Sequence, residues 1–382
     1  LNEFGCKSYW ITSQTGVGST MTIEGFSRPV TAFISNDYLG MSQREETKQA
    51  GIDAIIKYGT GACAAQVIGG YLDIHQQLEQ EIASFVGQED AILFSSGFGA
   101  NAGILRALLG QNDIALVDPY IHTSAMAGLK GTNVKRIGHN DLEYLEKTLK
   151  ETKDQYQTRL VIIDGVYSQD GDLSLLPEII SLCKTHEAML MLDDAHGIGV
   201  MGANGRGTAE HFNCLGQVDI ITGTFSKSFG CVGGFAAASK KIIQYLKFYA
   251  DSNVFSAAPT PQVTASILKA LEIIKKEPAI RARLWENTDY LRSRLTTEGF
   301  DIGKSVSPIF PIMIRDNKKV YEIAKMLQEK GIFTIGIVYP AVRTKEARLR
   351  VSVLATHEHE QLDALINALN DINKDIKIKK EQ

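Results

Sequence analysis

An excess of positive charge is missing from this sequence: 40 Lys and Arg stand against 44 Asp and Glu, a formal charge of -4 at neutral pH. Without a positive field nothing in the bulk electrostatics holds a polyphosphate chain, so no nucleic-acid partner is expected. Cysteine is scarce as well. The five present (Cys6, Cys63, Cys183, Cys214, Cys231) are odd in number, far apart and without C-x-x-C spacing, which argues against a disulfide framework and a zinc knuckle. A reducing cytoplasm is the expected compartment. No charge-free apolar run approaches the roughly 18 residues of a membrane span, and the N-terminal residues lack a signal-peptide pattern. Repeats and low-complexity linkers are lacking too. What remains is 44% hydrophobic content over 382 residues, an ordinary globular chain long enough for roughly two or three domain-sized units.

Short apolar runs alternate with helical patterns between about residues 89 and 240: "AILF" (91–94), "IALV" (114–117), "LVII" (160–163), "AMLML" (188–192), "DIIT" (219–222) and "GGFAAA" (233–238). Continuous apolar runs separated by helices predict an α/β fold with a mostly parallel sheet covered on both faces. Two long helices follow, one closed by Pro278 and the next by Gly299, and then a β-α-β-β-α pattern. Leu362, Leu365, Ile366, Leu369 and Ile372 keep helical spacing, so the last helix is expected to cover a small sheet. The expected organisation is an N-terminal segment over 1–50, a large domain over 51–259 and a smaller α+β domain over 260–382. The tail "KDIKIKKEQ" reads as a solvated end.

Ligands of open α/β sheets collect at the carboxyl ends of the strands, and there the polar residues gather. "AILF" runs into "SSGFGANAG", a Gly-rich turn opening a helix whose N–H groups suit a phosphate, though a tight turn needing glycine explains it alone. His122 stands at the mouth of a helix after "IALVDPY", where a lone His is more often a cap. "AMLML" runs into "DDAHGIGVMGANGRG", with Asp193 and Asp194 at a strand end where acids need partners and His196 three residues after Asp193. That stretch holds a G-x-G-x-x-G (Gly197, Gly199, Gly202), with Asp219 about 20 residues further on as a dinucleotide fingerprint asks. Two acids and a His come between strand and turn, and no helical pattern opens among the glycines, so it reads as a loop.

"DIIT" runs into "GTFSKSFG", which sets Lys227 among small and uncharged residues. Desolvation lowers a lysine's pKa, and a neutral amine forms an imine with an aldehyde; the alternative is a lysine reaching from a sheet edge to solvent. An acid, a histidine and a lysine on neighbouring strand ends, with anion-binding turns, meet the needs of pyridoxal 5'-phosphate. Its aldehyde takes an amine, its ring nitrogen a carboxylate, its ring a flat cover, and its phosphate a nest of N–H and hydroxyl groups.

"DDAHGIGVMGANGRG" followed by "GTFSKSFGCVGG" resembles the α-oxoamine synthases, fold-type I pyridoxal-phosphate enzymes that condense an amino acid with an acyl-CoA thioester and release CO2. The likeness extends to "FISNDYLG" (33–40), "LDIHQQLEQEIASFVG" (72–87), "FSSGFGAN" (94–101), "DGVYSQDGD" (164–172), "FSAAPTP" (255–261) and "ARLRVSVLATH" (347–357). It implies Lys227 as the Schiff-base lysine, Asp193 as partner of the ring nitrogen, and His122 stacked on the ring. Ser168 and His196 would bond the ring oxygen, and Thr224 with the backbone of Gly97 and Phe98 would hold the phosphate. Asn36 and Arg350 would receive the substrate carboxylate, for which a guanidinium fork has matching geometry. Without the resemblance, Arg350 in the alternating "RLRVSV" reads as a solvent-facing strand residue.

The resemblance also implies a homodimer with shared active sites, and Ala257, where many members place a hydroxyl, leaves Ser256 as the contact to the neighbouring subunit's phosphate. Other departures are Ala65-Gln66 where relatives usually have Ser-Arg, and Asp164 where Glu is common. "YLDIHQQLE", "GHNDLEYLE" and "LWENTDYLRSRL" look most like bacterial serine palmitoyltransferases, which join serine to a long acyl chain. No arginine occurs in residues 1–27, where pimeloyl-using relatives commonly place one, and this favours an acyl chain with an apolar end. Glycine, alanine or cysteate as the amino acid, a different acyl donor (of the 8-amino-7-oxononanoate synthase, glycine C-acetyltransferase or cysteate acyltransferase type, or one carried on an acyl-carrier protein), an aminotransferase of the same fold, and a non-catalytic subunit stand as alternatives. His357 and His359 in "THEHEQ" are near each other but read as solvated at a helix start, and no metal is assigned. The basic, amphipathic "KKIIQYLKFYA" (240–250) offers either packing on the sheet or a peripheral contact with the inner membrane surface.

Overall fold

The computed structural model describes residues 9–379; Cys6 and tail residues 380–382 lie outside the described residues. The first strands are β1 (Thr20–Met21) and β2 (Val30–Ala32). Those of the α/β region are β3 (Asp90–Phe94), β4 (Ile114–Val117), β5 (Asn133–Arg136), β6 (Arg159–Asp164), β7 (Met189–Asp193), β8 (Ile220–Thr224) and β9 (Gly234–Ala238). The last are β10 (Ile309–Met313), β11 (Ile332–Phe333), β12 (Ile335–Ile337) and β13 (Arg348–Ser352). Contacts divide the chain into two compact units, 44–167 with 173–278, and 1–43 with 168–172 and 279–382.

The larger unit is built on a seven-stranded sheet in the order β3-β9-β8-β7-β6-β4-β5. Every neighbouring pair is parallel except the two that β9 makes. Strand β6, "RLVIID", is buried throughout and β7, "MLMLD", nearly so, which is why their apolar residues run on without alternating. Ile104 and Leu105 of the helix Gly97–Leu108 join Ile92, Ile162 and Met191 of the strands in one core. The helix Lys240–Tyr249 adds Ile243 and Leu246 to it, realising the packing role, while its Phe248 and Tyr249 stay exposed. The helix Pro261–Lys276 packs on Glu45–Tyr58 within this unit. Strand β5, "NVKR", has no apolar run and escaped the sequence reading, because an edge strand needs no continuous buried face.

Turns without a helix fill residues 194–207 after β7, as the mismatch with a dinucleotide fingerprint predicts, and the next helix begins at Thr208. The glycines there serve a carboxylate instead. A Cβ added at Gly165, Gly197 or Gly207 would overlap the carboxylate of Asp194, and Gly207 also holds a φ of +104°. Asp194 is thereby buried, accepting the N–H of Thr208 at 2.7 Å and its hydroxyl at 2.5 Å.

The smaller unit carries two three-stranded sheets, β1-β2-β11 and β10-β13-β12. The second is antiparallel, with the helices Asn317–Glu329 and His359–Asp375 following β10 and β13. The pairing of β2 with β11, parallel and some 300 residues apart, ties N-terminal residues to this unit. His357 corrects the expectation of a solvated side chain. It is fully buried, its Nδ1 accepts the N–H of Leu354 at 2.9 Å, its Nε2 lies 3.1 Å from the carbonyl of Ala32, and it stacks on Phe33. Its ring nitrogens are thus spent on backbone groups. Among the described residues no helix is long and apolar enough to cross a membrane.

Gly207→Ala should cost about 1–3 kcal/mol from the left-handed backbone alone and more from the overlap with Asp194. Urea unfolding at neutral pH checks this, and an unchanged midpoint would refute it.

Candidate active site

Strands β6 and β7 are adjacent and in register, so Asp164 and Asp193 occupy paired positions at their carboxyl ends. Both are buried. Like charges this close cannot both be ionised cheaply. The Asp164 carboxyl is pushed well above its ordinary range, first by burial and then by the charge of Asp193, with Lys227 and the backbone N–H of His122 pulling the other way. Asp193 is the better supplied of the two: its Oδ2 accepts from Asn101 Nδ2 at 2.6 Å and its Oδ1 from the N–H of Ala195 at 3.1 Å.

Lys227 sits half-buried in the turn after β8, the strand paired with β7. Its ammonium acts on His122, Asp164 and Asp194, which places it in the same electrostatic cluster. His122 caps the helix Thr123–Gly128, with Nδ1 2.7 Å from Ser124 Oγ. Burial holds its pKa below the usual imidazole value; the charge of Asp193 opposes that and Lys227 reinforces it. His196 is buried in the loop after β7.

A nest suited to an anion assembles at the ends of β3, β8 and β9. Ser96 caps the helix Gly97–Leu108 by accepting the N–H of Gly99 at 2.9 Å, and the carbonyl of Ser96 accepts the N–H of Ala100. The first-turn N–H groups of Gly97 and Phe98 remain at the helix end for an anion. A Cβ on Gly97 would lie 2.8 Å from Cβ of Thr224, and one on Gly234 would lie 2.6 Å from N of Gly97. Glycine is therefore required for the helix end to come up against Thr224, whose hydroxyl bonds to the carbonyl of Gly233 at 3.0 Å. Amine, carboxylate, imidazole and anion nest all lie at strand ends of this one sheet, and this donor set fits pyridoxal phosphate.

Arg350, Asn36 and Ser168 belong to the smaller unit. Arg350 is buried, not solvent-facing. Nε–H donates to the carbonyl of Ser168 at 2.7 Å, one NH1 hydrogen to Ser352 Oγ at 2.8 Å and one NH2 hydrogen to Asn36 Oδ1 at 3.1 Å. A guanidinium has five N–H donors, so its terminal nitrogens keep capacity for a carboxylate. Arg348, two residues earlier on the same strand face, donates to Asp170 at 2.5 Å and to the carbonyl of Gln169, so two arginines hold residues 168–170. Asp37 fixes the turn carrying Asn36 by accepting the N–H groups of Met41 and Ser42. Ser256 is half-buried after the helix Asp251–Val254.

Sequence reasoning gave no role to Asn101, Ser124, Asp164 or Tyr38. Asn101 had a signal: with Ile104 and Leu105 it lies on the buried face of its helix, where an amide needs partners. Tyr38 is fully buried, and its phenol is pushed up to about 12 by burial against the pull of Arg350.

Burial likewise pushes Asp194 up to about 7 from an ordinary 3.8. The folded chain keeps this proton while the unfolded chain loses it, so the stability it contributes is complete below about pH 4 and is lost as pH rises to about 7. Relative to wild type, Asp194→Asn should gain stability across that window. Parallel urea-derived curves would contradict the assignment.

Residues 28–369 match the family described as aminotransferase class I and II. A serine palmitoyltransferase of Sphingobacterium spiritivorum is 40% identical over 380 residues, 99% of this chain and 94% of the relative. An 8-amino-7-oxononanoate synthase of Thermoanaerobacter pseudethanolicus is 40% identical over 346 residues, 90% of this chain and 88% of the relative. A solved SPT structure with pyridoxal phosphate matches with a TM-score of 0.94 at 28% identity, covering 99% of this chain and 96% of that one. The chain therefore belongs to the class I and II aminotransferase family and, within it, is a pyridoxal-phosphate-dependent α-oxoamine synthase acting on an amino acid and an acyl-CoA.

Proposed function

We propose that this α-oxoamine synthase joins L-serine to a long-chain acyl-CoA, releasing coenzyme A and CO2 and giving a 3-keto amino lipid precursor of the 3-ketodihydrosphingosine type. The observation that carries the choice of acyl chain is the lack of arginine in residues 1–27, which leaves no guanidinium there for a distal carboxylate. Similarity to a serine palmitoyltransferase over 380 residues supports the same reading. Equal identity to an 8-amino-7-oxononanoate synthase favours, as the second reading, an acyl donor of that enzyme's type.

Pyridoxal phosphate, when bound, holds the amino acid through its aldehyde carbon and draws electrons from the bond broken at the α-carbon. In this reading Lys227 would supply the amine that holds the cofactor's aldehyde, and as a free amine its Nζ would take the proton from the amino acid's α-carbon. Asp193 would keep the ring nitrogen protonated, His122 would cover the ring, and Ser168 and His196 would bond its oxygen. Thr224 and the N–H groups of Gly97 and Phe98 hold the phosphate. Arg350 and Asn36 fix the amino acid's carboxylate and so set which α-bond breaks. The α-carbon would then bond to the thioester carbonyl carbon as the coenzyme A thiolate leaves, the carboxyl would depart as CO2, and a proton, such as the one held on Lys227 Nζ, would return to the α-carbon. Ser256 completes the neighbouring subunit's phosphate site in a homodimer. The exposed Phe248 and Tyr249 suit a peripheral membrane contact for a cytoplasmic enzyme with a lipid product.

Lys227→Ala should abolish both the visible band of the bound cofactor and turnover; a variant keeping both would end this scheme. Arg350→Lys should raise KM for the amino acid about 10-fold or more, the loss of a charge-assisted bond. Coenzyme A release measured with serine, glycine, alanine and cysteate against acyl-CoAs of graded length tests specificity. A preference for short or dicarboxylic chains would reject the palmitoyltransferase reading.

A further inference from the structure

Asn101, Ser124 and His122 form a continuous hydrogen-bonded line to Asp193 that none of the assigned roles explains. Asn101 Nδ2 lies 2.6 Å from Asp193 Oδ2 and 2.9 Å from Ser124 Oγ. Ser124 Oγ is 2.7 Å from His122 Nδ1, and the backbone N–H of Ser124 points at the same nitrogen at 3.3 Å. Asn101 and Ser124 are buried.

Donor counting fixes the direction of every bond. A carboxylate only accepts, so Asn101 must turn its NH2 group to Asp193, and its second hydrogen goes to Ser124. The cost is visible: Asn101 Oδ1 is buried with no hydrogen-bond partner. Flipping the amide would set Oδ1 against the carboxylate oxygen at 2.6 Å, acceptor against acceptor. Ser124 Oγ, accepting from Asn101, keeps its one hydrogen for His122 Nδ1, a direction set by the backbone N–H that meets the same nitrogen. The backbone N–H of Ser124 can only donate, so Nδ1 faces two donors and must present its lone pair.

We propose that Asn101 and Ser124 are positioning residues that relay the Asp193 carboxylate to His122, locking Nδ1 as an acceptor and placing the ring proton on Nε2. The imidazole is then a donor at its far nitrogen, able to bond a thioester carbonyl or a carboxylate oxygen, and its plane is held against rotation. The catalytic consequence rests on His122 and Asp193 having the roles given above; the tautomer does not. Burial keeps the ring below its usual pKa, consistent with a single ring proton.

The test is 15N NMR of the holoenzyme and of the cofactor-free protein with labelled histidine, the His122 signal being identified by its loss in His122→Gln. In both forms the wild type should show an unprotonated Nδ1 and a protonated Nε2. Ser124→Ala removes the donor at 2.7 Å and leaves the longer backbone N–H at 3.3 Å, so it should give a mixture of tautomers; kcat should fall about 10-fold or more, as for loss of an orienting partner, with KM changed less than kcat. Asn101→Leu, of similar size and without donors, should do the same and serves if Ser124→Ala does not fold. A proton on Nδ1 in wild type, or an unchanged tautomer and kcat in the folded variants, would overturn the relay. Turnover of His122→Gln is the separate readout of His122's role: full activity there would remove that role whatever the tautomer.

Discussion

Burial of negative charge at the carboxyl ends of β6 and β7 is the constraint around which the larger unit is organised. Asp164, Asp193 and Asp194 are all removed from water within two neighbouring strands, a placement that is unfavourable unless each acid is neutralised or supplied with donors. The chain solves it differently for each. Asp194 is surrounded by glycines and by the two donors of Thr208, Asp164 is kept toward its protonated form by burial and then by the charge of Asp193, and Asp193 is bonded by Asn101 and Ala195. Of the three, Asp193 is the one bonded by the side chain of Asn101, and its charge acts on His122.

The glycines around this cluster have two distinct uses. Gly165, Gly197 and Gly207 leave room for a side chain, the carboxylate of Asp194, whereas Gly97 and Gly234 let backbone approach backbone and Thr224 at the helix end. A sequence rich in glycine therefore does not by itself announce a nucleotide cradle. The stretch that matches the dinucleotide fingerprint is packed around an acid, and the turn that suits a phosphate lies elsewhere, ahead of Gly97–Leu108.

In the proposed function the amino acid's carboxylate is oriented by other residues. Arg350 is held by three bonds from residues far apart in the chain, including one to Asn36 across 314 positions. A guanidinium fixed in this way is ready for a carboxylate without reorganising, which suits an enzyme whose first task is to orient an amino acid. Features shared by relatives that use different acyl chains give the reaction but not the length of the chain.

Continuous apolar runs, caps and prolines were enough to read the parallel sheet, the long helices and the strand-end residues Asp193, His122 and Lys227, because period, burial and chain-stopping are local properties. Three features were not legible in that way. Strand β5 lacks an apolar signature, His357 satisfies its ring through backbone groups rather than water, and β2 pairs with β11 although nothing local marks either as a partner. The primary structure alone determined which chemistry-bearing residues end the strands. Folding decided that Arg350 points inward and that Asn101 meets Asp193 across 92 positions, since hydrogen bonds between distant segments depend on how elements pack and leave no periodic trace in either segment.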